Sequence, residues 1–242
     1  MVTLTPARSK AGVALIDTFD HIRIINLAHR ADRREEMAEQ LRSVGLSFKL
    51  TVSLFPAVRP VDRSEFESIG AHGCFMSHLG VLRESIGKSG VLILEDDANF
   101  AAQFHNRVGP AVAALPSGWG IFYGGCRADL PAGSPLVEVP HSTPITLAHF
   151  IAISGPVIPR LVAYLEAMLL RTNGDPAGGP MHVDGAYSHF RADNPNVTTF
   201  AAVPELAYQR SSRTDIAALH WFDRTWAVRD VVQALRRMRR AS

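Results

Sequence analysis

The chain of 242 residues carries 25 Lys and Arg against 23 Asp and Glu, a net charge of +2, and is 47% hydrophobic and 20% charged. That length buries a substantial core and that composition excludes wholesale disorder. The near-neutral balance argues against nucleic acid as a partner, and the longest apolar runs are strand-length, far below the ~20 residues a membrane helix needs.

Met1 to Asp20 shows weak periodicity and reads as a poorly ordered lead-in, with no convincing signal peptide, so the fold is expected to begin at residue 21. His21 to Leu27 reads as a first strand. From Asp32 the spacing turns helical, with Met37, Leu41 and Val44 on one stripe and Gly45 as the stop. Phe48 to Leu54 is strand-like, and Gly73 to Ile86 is helical with Phe75, Leu79, Leu82 and Ile86 on its buried side. Val91 to Leu94 is a continuous apolar run, the pattern of a central parallel strand covered on both faces. Ile121 to Gly125 and His149 to Ile153 read as further strands. Pro156 to Leu170 reads as a helix closed by the Gly/Pro-rich loop Asn173 to Pro180. His182 to Arg191 is helical, Val197 to Val203 strand-like, and Asp223 to Arg240 a basic amphipathic helix. Alternating β and α elements give an α/β class with a Rossmann-like, mainly parallel sheet and helices on both faces.

Glu95-Asp96-Asp97 follows the most apolar strand, at the end where open α/β sheets collect ligands. Three adjacent carboxylates repel one another unless a cation or several hydrogen bonds compensate. A hard divalent ion suits them, because magnesium and manganese take oxygen ligands and complete their sphere with water and phosphate. Solvated loop acids, or an Asp capping the next helix, are the alternatives. Cys74 and Cys126 are far apart and match a reducing compartment rather than a disulfide scaffold.

Four ordered segments resemble glycosyltransferase family 25, the bacterial lipooligosaccharide galactosyltransferases and their collagen-modifying relatives. They are Ile24 to Leu27 with Arg30 and Ala31 to Met37; Phe55 to Val58; Gly70 to Leu79 leading into Val91 to Ala98; and Pro204 to Gln209 with Ser212 to Ile216. Ala28-His29 and Ala71-His72 depart from the family's usual residues. The resemblance implies a GT-A type domain over 21–220, with a donor half over about 21–125 and an acceptor half over about 126–220, followed by the basic helix over 221–242.

It further implies an inverting transfer of a hexose, most readily galactose, from a UDP-sugar to a saccharide or glycolipid acceptor, with Mn2+ or Mg2+ as cofactor. Asp97 is the leading metal ligand, with Glu95, and His182 is a third candidate whose alternative is an ordinary structural histidine. Asp184 is the candidate base on the acceptor hydroxyl, against the plain role of an acid at a helix amino terminus. Donor contacts fall on Asn26, Arg30, Arg33, Ser77, His78, Glu95, Asp96, Gly124, Gly125, Gln209 and Arg213. Ser77 and His78 are equally placed to pack their helix on the sheet, and Gly124-Gly125 to make an ordinary tight turn. Cys74 and His78 share a helix face, and without further soft ligands a zinc site is not expected there. The C-terminal basic helix suits an anionic membrane surface or a solvated helix end, and the chain is expected in the cytoplasm, peripheral to the inner membrane. Two rival readings are another metal-dependent nucleotidyl- or phosphotransferase and a sugar-nucleotide-binding module without turnover.

Overall fold

A computed structural model describes residues 9–49, 51–131 and 133–210. Arg213 and the basic helix expected over 221–242 lie outside the described residues. The helices are α1 (Lys10–Thr18), α2 (Ala31–Ser43), α3 (Ile69–Glu84), α4 (Phe104–Ala113), α5 (Ile158–Leu169) and α6 (Val183–Asp193). The strands are β1 (His21–Asn26), β2 (Val52–Pro56), β3 (Gly90–Glu95), β4 (Ala98–Phe100), β5 (Ile121–Arg127), β6 (Leu136–Glu138), β7 (Thr146–Ser154), β8 (Thr199–Ala202) and β9 (Ala207–Gln209).

Seven strands form one sheet in the order β2-β1-β3-β7-β5-β8-β6, and β4 pairs with β9 in a small separate ribbon. β1 runs parallel to β2 and β3, and β5 to β8, while β7 is antiparallel to both β3 and β5, and β6 to β8. Five strands therefore share one direction and β6 and β7 oppose them. The mixed α/β class matches the sequence reading, except that β3 has a parallel neighbour on one side only.

The pleat sorts β3 into two cores. Val91 and Ile93 join Phe75, Leu79 and Leu82 of α3, Leu161 and Leu165 of α5, and Phe190 of α6 on one face. Leu92 and Leu94 join Leu15 of α1, Met37 and Leu41 of α2, and Phe104 and Val108 of α4 on the other. All four β3 residues are fully buried, which is why the run carries no polar alternation.

Residues 10–18 are a correction to the expected lead-in. Ser9 caps α1 by accepting from the Gly12 N–H at 3.2 Å, and Ala11 and Leu15 are buried as the helix packs on α4. Only one turn-repeat of apolar residues faces the core, too short a stripe to stand out in sequence. Among the described residues no helix is long and apolar enough to cross a membrane.

Candidate active site

The parallel trio β1, β2 and β3 ends on one edge, and a cavity of about 400 Å³ opens there. Its walls come from Ile25 of β1, Leu27 and His29 just after it, Arg33 of α2, the loop after β2 (Ala57 to Pro60), the first half of α3, and Glu95, Asp96 and Asp97. Asp96 continues the β3 ladder by donating its N–H to Ile25 O at 3.1 Å, while Ala57 N–H donates to Asn26 O at 2.9 Å. The carboxylates are thus tied to the sheet rather than carried on a free loop.

Asp96 is a framework residue. Asn26 Nδ2 donates to its Oδ2 at 2.7 Å, and Arg33 donates to its Oδ1 at 2.9 Å. Arg33, at the start of α2, also reaches Asp97 Oδ2 at 3.4 Å, where Gln209 Nε2 donates from β9 at 3.4 Å. Asp97 Oδ1 is buried and takes no hydrogen bond among the described residues. Burial, reinforced by the charges of Glu95 and Asp96 and opposed by Arg33, pushes the Asp97 carboxyl up to about 7. A buried carboxylate with one oxygen orphaned and a like charge beside it fits a cation, and its all-oxygen character fits a hard one.

Glu95 turns toward α3. His78 Nε2 lies 3.2 Å from Glu95 Oε1, and the Cys74 thiol points to the same oxygen at 3.8 Å. Burial alone would raise Glu95, but the hydrogen bond and charge of His78 outweigh it and hold the carboxyl below its usual value. Burial pushes the Cys74 thiol well up, with Glu95, Asp184 and Asp97 adding to the rise. Behind His78, its Nδ1 meets Tyr187 Oη of α6 at 3.0 Å.

Other expected residues divide. Ser77 lines the cavity, and its hydroxyl donates to Gly73 O at 2.6 Å and accepts from Val58 N–H at 2.8 Å, tying α3 to the loop after β2. Gly73 permits that approach, because a Cβ there would sit 2.7 Å from Val58 O. Arg30 is engaged with Asp32 through Nε and Nη2 and does not line the cavity.

Gly124 and Gly125 have a different duty from the one expected. A Cβ at Gly124 would fall 2.2 Å from the Phe150 ring, and one at Gly125 2.2 Å from Ala207 O and 2.4 Å from His149 Nε2. They let β5, β7 and β9 close on one another where the β5–β7 register shifts. His182 is likewise placed elsewhere. It precedes α6, is mostly exposed, and its Nε2 faces Glu67 at 3.2 Å. Among the described residues, the ligand-type side chains that converge are Cys74, His78 and Glu95.

Asp184 occupies the first turn of α6, where Oδ2 accepts from Leu147 N–H at 2.9 Å and Oδ1 from Gly185 N–H at 2.8 Å. Leu147 has φ 69, so the carboxylate pins a left-handed backbone position. Two residues escaped the sequence reading: Tyr187, which orients His78, and His149, buried, with Nε2 donating to Ala207 O at 3.0 Å. Tyr187 lies on the buried stripe of α6 and His149 on an apolar strand, so in sequence both look like core positions.

Residues 19–115 match the family described as Glycosyltransferase family 25 (LPS biosynthesis protein), a stretch that contains β1 through α4 and the acidic trio. The chain is 26% identical over 226 residues to a "Glycosyltransferase 25 family member" of Aedes aegypti, covering 78% of this chain and 35% of that protein. It is 28% identical over 165 residues to the "Probable inactive glycosyltransferase 25 family member 3" of Bos taurus, covering 57% of this chain and 28% of the relative. With the human "Procollagen galactosyltransferase 2" it shares 26% identity over 167 residues, covering 57% and 26% of the two chains. The matched regions thus span about a third or less of these relatives' lengths.

Proposed function

Because the chain belongs to glycosyltransferase family 25 through residues 19–115, we propose that it transfers a hexose, galactose in the first instance, from a UDP-sugar to a saccharide acceptor. The observation that carries this reading is Asp97: a buried carboxylate in the cavity wall with Oδ2 held by Arg33 and Gln209 and Oδ1 left open. A manganese or magnesium ion held there would neutralise the donor diphosphate and stabilise the departing nucleotide.

The chain's own residues supply the positioning. Asp97 is the direct ligand, aimed by Arg33 and Gln209, and Asn26 fixes Asp96 so that Arg33 stays between the two aspartates. Arg33 keeps a cation beside the diphosphate position, and the amino terminus of α3, with Ile69 and Gly70 in the cavity wall, presents backbone N–H groups of a kind suited to phosphate. Residues at the end of β1 and in the loop after β2 form the remaining wall, where the nucleoside is expected. The glycosidic carbon develops oxocarbenium character as the diphosphate leaves, and inversion requires a carboxylate to take the acceptor's proton. Asp184 fills that role in this proposal, with its two backbone bonds holding the carboxylate in one orientation.

A bacterial surface glycolipid as acceptor, a cytoplasmic location and contact of the basic C-terminal segment with an anionic membrane complete the proposal. Some relatives carry the description inactive. Turnover here is favoured over a binding-only role by the intact Glu95-Asp96-Asp97 trio and the open Asp97 oxygen. The test is a panel of UDP-sugars incubated with the full chain, with and without manganese, reading release of UDP. One donor hydrolysed in a manganese-dependent way is the expected result, and release from none of them under any metal would sink the reading.

A further inference from the structure

Cys74 and His78 are four residues apart on α3 and so project from one helix face, and the end of β3 brings Glu95 opposite them. The geometry points to a soft transition-metal site, of the zinc class, formed by Cys74 Sγ, His78 Nε2 and Glu95 Oε1 on the wall of the cavity. This inference rests on those three side chains and not on the donor reading of the cavity.

Distances argue for it first. Tetrahedral zinc with bonds of about 2.3 Å to sulfur and about 2.0 Å to nitrogen and oxygen sets an S···O edge of about 3.5 Å and an N···O edge of about 3.3 Å. The corresponding separations are 3.8 Å and 3.2 Å. All three atoms lie within 4.8 Å of one another.

Chemistry argues second. Thiolate and imidazole select zinc-like ions, whereas Asp97 offers oxygen alone and suits a hard ion. Without an ion, the thiol and the ring N–H converge on a single carboxylate oxygen, Glu95 Oε1. Metal binding replaces the thiol proton, which leaves to solvent, and places the imidazole proton on Nδ1, donated to Tyr187 Oη at 3.0 Å. A ring nitrogen held from behind by a buried hydroxyl is the outer-shell support that metal-binding histidines use. All three ligands line the cavity, so the fourth corner opens toward it. Three protein ligands with one open corner distinguish the site from a closed structural zinc centre.

The test uses the full chain, stripped with chelator, without nucleotide, and titrated with Co2+ as a spectroscopic zinc substitute. The expected result is a near-ultraviolet thiolate-to-cobalt band together with visible four-coordinate absorption, both displaced by Zn2+. Cys74→Ser should lose the thiolate band and Cys126→Ser should keep it. Tyr187→Phe, which preserves the ring's volume, should weaken zinc about 10- to 100-fold. Since Cys74→Ser changes a partly buried position, the unmutated chain supplies a second measurement: Zn2+ should slow alkylation of Cys74, mapped by mass spectrometry, and leave Cys126 unchanged. Absence of the thiolate band, its survival in Cys74→Ser, or alkylation of Cys74 that zinc does not slow would overturn the site. None of these outcomes bears on UDP-sugar hydrolysis, so the two readings fail separately.

Discussion

Replacing Asp97 with Asn should change how the stability of the metal-free protein depends on pH. The Asp97 carboxyl is raised from 3.8 to about 7, first by burial and then by the charge of Glu95. Between those values the folded chain holds a proton that the unfolded chain has lost. Stability therefore falls as pH climbs from about 4 to about 7 and levels off above that. At ~1.36 kcal/mol for each tenfold change in proton affinity, the full drop is at most about 4 kcal/mol. Urea unfolding in chelator at a series of pH values, for wild type and Asp97→Asn, gives the difference directly and cancels groups common to both. The wild type should lose stability relative to the variant as pH rises through this window. Manganese should restore it in the wild type, by ~2.7 kcal/mol at a hundredfold excess over its dissociation constant. Parallel pH profiles for the two proteins would refute the claim that Asp97 is a buried carboxylate whose burial Arg33 and Gln209 offset only in part.

Gly125→Ala should destabilise the fold by about 1–3 kcal/mol in urea titrations, because its Cβ would meet the Ala207 carbonyl and the His149 ring. An unchanged midpoint would show that β9 and β7 do not press on this glycine. Asp184→Asn should keep UDP-sugar affinity in calorimetry while transfer falls by at least about 100-fold. Transfer at the wild-type rate would restrict Asp184 to anchoring Leu147 and the start of α6.

What could be read without coordinates follows from how far each signal acts. The Val91 to Leu94 run and the acids after it announce themselves locally, since a strand buried on both faces must be apolar throughout and an acidic cluster at its end breaks that pattern. Strand direction leaves no such trace: the apolar sequence of β7 is the same whether it pairs parallel or antiparallel, so its reversal beside β3 is visible only in the fold. α1 escaped because its buried residues are few and follow a polar start. Gly124 and Gly125 suggested a ligand-facing turn, but what needs their missing side chains is Phe150, Ala207 and His149, all distant in sequence. The pairing of Arg33 with Asp96 and Asp97 spans more than sixty residues, yet all three stand out in sequence, because they follow the ends of strands. Cys74 and His78 show the opposite case. Their helical spacing is plain in sequence, but Glu95 reads there as part of the acidic trio, so its convergence with them is visible only where β3 lies against α3.

Titration calorimetry of UDP with and without manganese reads directly whether Asp97 joins a divalent ion to a nucleotide diphosphate. Wild type should bind UDP tightly only when manganese is present, and Asp97→Ala should lose the manganese-dependent part while remaining folded. Equal affinity with and without manganese, or an Asp97→Ala protein that still responds to the metal as the wild type does, would contradict that linkage.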